Sequence, residues 1–242
     1  MANSLGASLI PSLTGAVATG NRKQIHAKIQ MVIRFAMLIA IPSCIAFMTI
    51  PNPILSLLYV GNVDIPARLL RIGAITVVFY CLSTVTNSIL QGLNHMTTPV
   101  KHGAISLCVH LIAVVVMLVG FKWNIYSLVA GNIVFSLCMC ILNGRALRKF
   151  AKYRQEVKKT FLLPFGAAAV MGIVLLVIYF ATAIIIPKKL ATILAILIAV
   201  CVYAVCLIKF GALTPEEIVA LPKGRTLLRL FQRLHLIREE AV

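Results

Sequence analysis

Asn87 and Gln91 lie four residues apart inside a long apolar run, and with Thr76, Tyr80, Ser83, Thr84 and Asn94 they recur at steps of three and four. On a helix those steps form one narrow polar stripe. Amides and hydroxyls at such spacing can do two kinds of chemistry in an apolar setting. They hydrogen-bond to a neighbouring helix, or they line a hydrated cavity and bind a polar solute; unsatisfied amides in hydrocarbon are too costly for a third choice. Both readings stay open at the level of the residues. A later run adds Asn132, Ser136 and Asn143 on a common face, and Ser106 and His110 mark another.

Covalent chemistry has little to stand on. The six carboxylates are Asp64, Glu156, Glu216, Glu217, Glu239 and Glu240, and none falls inside an apolar run. A diphosphate-handling enzyme would need clustered carboxylates for a metal, and a cation-coupled carrier at least one buried acid. The seven cysteines all lie in apolar runs, and Cys138 and Cys140 diverge by about 200° on a helix, so they cannot share a zinc ion. No phosphate-cradling loop, nucleophile elbow or metal-binding helix pattern is present, so no catalytic residue, cofactor or metal is expected.

The elements that carry these residues follow from composition. Of 242 residues, 61% are hydrophobic and 12% charged, with a mean hydropathy of +1.00. Such a chain cannot cover itself with polar surface, so it is an integral membrane protein with an all-α fold. Six runs are long enough to span, given that about 20 helical residues cross the hydrocarbon core. They lie at about 29 to 58, 68 to 93, 101 to 121, 124 to 144, 161 to 186 and 190 to 209. The first holds Pro42, Pro51 and Pro53 and is expected to kink, or to end early in an interfacial stretch. The start of the chain has no positively charged leader and reads as the end of a preceding span followed by a loop, over residues 1 to 28.

The net charge of +17 would point to nucleic acid in a soluble protein. Here the basic residues sit between apolar runs, where they orient helices, and no basic and aromatic surface is left over for a nucleic-acid groove. Six spans put seventeen Lys and Arg residues on one side and five on the other, with Arg34 near the start of the first span. By the positive-inside rule both ends are cytoplasmic.

The last stretch, residues 210 to 242, is different in kind. Thr214, Pro215, Glu216 and Glu217 form a helix start. Beyond Gly224, Leu227, Leu230, Phe231, Leu234 and Ile237 alternate with Arg225, Arg229 and Arg233 at helical spacing. A basic amphipathic helix there is expected on the anionic inner membrane surface, with packing on a cytoplasmic loop as the other reading. In the fifth run, Gly166, Ala167, Ala168, Ala169 and Gly172 offer small surfaces for close helix approach.

Four stretches, "SLIPSLTGAVATGNRKQI", "IAIPSCIAFMTIPNPILSLLYVG", "SILQGLNHMTTPV" and "KFGALTPEEIVALPKGRTLLRLFQRLHLI", resemble in order the carboxy-terminal half of bacterial polysaccharide-biosynthesis flippases. The resemblance is to the SpoVB/MurJ-like branch of the multidrug, oligosaccharidyl-lipid and polysaccharide (MOP) exporter superfamily. It implies the carboxy-terminal lobe of a fourteen-helix, two-lobed transporter in the bacterial cytoplasmic membrane. The six-span lobe at 29 to 209 would supply helices nine to fourteen, and the amino-terminal lobe, in the same longer chain or a separate subunit, would be a partner. The implied activity is translocation of a polyprenyl-diphosphate-linked saccharide, lipid II or another envelope precursor, by alternating access. On that pattern Arg34, Tyr80, Thr84, Asn87, Gln91 and Asn132 are the cavity candidates, and the last two spans form a groove for the polyprenyl tail. A drug exporter half, a non-transport envelope scaffold, a polyprenyl-handling enzyme and a truncated fragment are the competing readings.

Overall fold

The computed structural model describes residues 13–15, 17 and 21–212. It is helical without strands among the described residues, and six helices are long and apolar enough to cross a membrane. We number the helices α1 (Arg22–Thr49), α2 (Pro51–Leu58), α3 (Asp64–Gly92), α4 (Thr97–Val115), α5 (Tyr126–Phe150), α6 (Leu163–Ala183) and α7 (Lys188–Lys209). Wider π-helical turns extend the end of α4 over Val116–Gly120 and precede α6 over Lys158–Leu162.

The expected first span, 29 to 58, divides. Asn21 starts α1 seven residues earlier than the apolar run alone marks, because its Oδ1 accepts the Gln24 backbone N–H at 3.2 Å and caps the first turn. Asn21→Ala is therefore expected to cost about 1 kcal/mol, and Asn21→Asp little, in thermal unfolding of the purified chain. Pro42 stays inside the helix, whereas Pro51 ends it. A proline lacks the N–H that continuation requires but suits a first helical turn, so α2 begins there. The link from α2 to α3 turns at Gly61, whose φ of 112° favours glycine, and Asn52 Nδ2 donates to Asp64 Oδ1 at 3.1 Å, joining the first turns of the two helices. Asn94, read from spacing as part of the polar stripe, lies beyond α3 in the turn to α4, with φ 68°. Asparagine tolerates that left-handed conformation better than most residues, so the stripe ends at Gln91.

The chain divides into two compact units, Met1–Val157 and Lys158–Val242. In the first, α3 packs against both α1 and α5, and α4 packs against α5. In the second, α6 and α7 pack as a pair through Ala167, Ala168, Met171, Gly172 and Leu175 on one side and Ala191, Ala195, Ala199 and Tyr203 on the other. Small side chains at helical spacing let the two backbones approach, which is how helices associate where lipid supplies no hydrophobic drive. Ile184 and Ile185 remain 86% and 83% exposed at the end of α6, as lipid-facing side chains do. The readings on residues 1 to 12 and on the tail, including Arg225, Arg229 and Arg233, lie outside the described residues.

Candidate functional site

The polar stripe of α3 is not used uniformly. At its centre is Asn143 of α5, which is fully buried. Its Nδ2 donates to Asn87 Oδ1 at 2.7 Å and Thr86 Oγ1 at 3.0 Å, and lies 3.3 Å from the Ser83 carbonyl oxygen. Its Oδ1 meets His102 Nδ1 of α4 at 2.8 Å. An amide oxygen only accepts, so with the amide in this orientation the ring carries its proton on Nδ1. One asparagine thus ties three helices, and Asn87 takes part in helix association.

Tyr80 and Gln91 point elsewhere. Tyr80 is 58% exposed and Gln91 is exposed, while Thr84 is half-buried and returns its hydroxyl to the Tyr80 carbonyl at 2.8 Å. Tyr80 also lines a groove of about 360 Å3 between α1 and α3, where Ser43 and Thr76 are the other hydroxyl-bearing side chains. Asn132 is exposed on α5. Arg34 is 4% exposed, so it does not extend along the helix to water as a cation at the membrane interface would. The six cavity candidates therefore separate into a hydrogen-bonded residue (Asn87), an enclosed cation (Arg34), a half-buried threonine and three exposed polar residues (Tyr80, Gln91, Asn132).

The α4–α5 contact is close. Gly131 faces His110 and Val114, and His110 meets Phe135 edge-on with ring centroids 6.1 Å apart. His110 Nδ1, Ser106 Oγ, Ser127 Oγ and Thr76 Oγ1 are buried without a hydrogen-bond partner among the described residues. His110 serves as a packing residue here, and among the described residues no group of His, Cys, Asp and Glu is arranged to hold a metal.

Two features escaped the spacing argument. His102 carries no periodic signal of its own, and only its partner reveals it. The basic run after α5 was legible as an orienting charge cluster, yet Tyr153 within it is 5% exposed and anchors the segment. Its ring meets His26 edge-on at 5.7 Å, and His26 Nε2 lies 2.7 Å from the Ala151 carbonyl oxygen. Burial, with Glu156 adding to it, pushes the Tyr153 phenol up to about 12, so the ring is held neutral.

Buried interhelical polar ties and an exposed polar edge at Tyr80 and Gln91 are thus carried by the same helix, α3. The sequence model of the family described as "Lipid II flippase MurJ" matches residues 1–200. A protein of Bdellovibrio bacteriovorus described as "Probable lipid II flippase MurJ" is 23% identical over 154 residues, which are 61% of this chain and 29% of that protein. The chain thus covers less than a third of that relative's length in the match, and no solved structure matches it. With six spanning helices and a family match over most of its length, the chain belongs to the lipid II flippase MurJ family of multi-pass inner-membrane proteins.

Proposed function

We propose that this chain forms one lobe of a flippase that moves a polyprenyl-diphosphate-linked saccharide, lipid II or a related envelope precursor, across the inner membrane. The family match over residues 1–200 carries the reading. The exposed polar edge of α3 agrees with it: Tyr80 and Gln91 offer a hydroxyl and an amide to a sugar or diphosphate headgroup. Alternating access would come from this lobe rocking against a second set of helices, in the same longer chain or a separate subunit. Both ends of the six-span stretch face the cytoplasm in this reading, on the strength of the basic-residue bias.

Tyr80 and Gln91 are the informative positions to change, because replacing Asn87 would also break its bond to Asn143. In the native host, Tyr80→Leu with Gln91→Leu is expected to lower lipid II reaching an external probe by at least about tenfold, the loss typical of a missing polar substrate contact. The amount of folded protein should stay unchanged. Full translocation by the double variant would remove α3 from the solute path. Unimpaired lipid II exposure in a strain lacking the whole chain would favour a scaffold role.

A further inference from the structure

Beyond the transport path, the C-terminal end of α5 carries a pocket that the proposed function does not use. It has a volume of about 560 Å3 and is lined by Arg148, Lys152, Tyr153, Arg154 and Gln155. Three cations thus share one concavity while their charged side chains remain exposed. The cluster is built by the fold. Lys152 has a φ of 51°, which reverses the chain after α5, sends Tyr153 inward and returns Arg154 to the mouth beside Arg148.

The surrounding hydrogen bonds fix this segment and leave the cations turned outward. Tyr153 OH donates to Gln155 Oε1 at 3.1 Å, and Gln155 Nε2 donates to the Glu156 carbonyl oxygen at 3.3 Å. The nearest acid in sequence, Glu156, accepts from the side-chain amide of Gln30 on α1 and does not line the pocket. A smaller, mostly apolar recess shares Arg148, Tyr153 and Gln155 with this pocket and is otherwise lined by Ile33, Leu82, Thr86, Cys140, Gly144 and Leu147. An apolar floor behind converging cations keeps water from screening them on that side and focuses their field outward. The carbonyls at the end of α5 oppose an anion only weakly, and Arg148 already sits in that last turn to offset them.

We propose that this pocket binds a phosphate group, presented by the headgroup of an anionic bilayer lipid or by a free phosphate compound. Arginine forks match phosphate oxygens in pairs, the lysine adds a mobile point charge, and the exposed mouth admits a ligand from the interface. The site is independent of the exposed α3 residues, so its test does not depend on transport.

The test compares the full chain with R148Q/K152Q/R154Q and with K188Q/K189Q, a control in the second unit. Each is placed in nanodiscs containing phosphatidylglycerol and phosphatidylcholine, and retained lipids are counted by native mass spectrometry; inorganic pyrophosphate binding is measured separately by calorimetry. A basic side chain at an anionic surface is worth roughly fivefold in affinity. The triple variant is therefore expected to lose at least about tenfold of the preference for phosphatidylglycerol, with the control unchanged. Equal lipid preference combined with saturable pyrophosphate binding that only the triple variant loses would assign the site to a free phosphate compound. Equal lipid preference and equal pyrophosphate binding in wild type and triple variant would overturn the site, as would a control that loses as much as the triple variant.

Discussion

Replacing Asn143 with leucine is expected to destabilise the first unit by about 3 kcal/mol, a loss seen as a lower unfolding midpoint in detergent or bicelles. The direct ties are individually modest, since a hydrogen bond between membrane helices averages roughly 0.6 kcal/mol. The larger part comes from what the change leaves behind. Leucine at this fully buried position strands the His102 Nδ1–H and the Asn87 carbonyl, each at a cost of about 1 kcal/mol or more, while the Thr86 hydroxyl keeps its bond to the Leu82 carbonyl at 2.8 Å and loses only a donor. Removing partners together should then cost less than the separate losses combined. In a double-mutant cycle, Asn87→Leu with Asn143→Leu is expected to show a coupling of about 1 kcal/mol. A loss below about 0.5 kcal/mol for the single change would mean that the three helices are held without this node.

Gly131→Leu is expected to be as damaging by the opposite route. A Cβ at this position would stand 2.4 Å from Val114 Cγ2, 2.9 Å from His110 Cε1 and 3.0 Å from His110 Nδ1. Real carbon pairs do not approach that closely, so α4 and α5 must separate or shift. Alanine alone should cost about 2 kcal/mol, in the usual range for overpacking, and leucine more. The cause is separable from any effect of glycine on helix propensity, because alanine is the better helix former. Val114→Ala removes the methyl in the way, so in its presence Gly131→Ala should cost about 1 kcal/mol less, read from the same unfolding midpoints. An unchanged penalty in the double variant would locate the strain at His110 instead.

How far the sequence carried the site depended on the kind of interaction. The stripe on α3 was visible as a period, and its helix formed where the run of apolar residues placed it. Period alone left two uses open for the stripe; Asn87 takes the first, bonded to a second helix, whereas Tyr80 and Gln91 are exposed. The small residues of the fifth run behave as local composition implies, with Ala167, Ala168 and Gly172 buried in the α6–α7 pair. Asn94 was misplaced because a polar residue one turn past a helix end keeps the period while the backbone has already turned.

The sequence by itself determined that this is a membrane protein with six apolar runs long enough to span, matched by six such helices among the described residues, and the bias of positive charge between their ends. Those properties come from residues close in the chain: about twenty apolar side chains in a row. Only the tertiary structure decided which polar groups meet. His102 and Asn143 are 41 residues apart and Asn87 and Asn143 are 56 apart, while Tyr153 reaches back to His26 near the start of α1. Periodicity gives a side chain its face on a helix, but its partner depends on the rotation and depth at which two helices pack, and those are set by the fit of glycines and branched side chains along the whole contact.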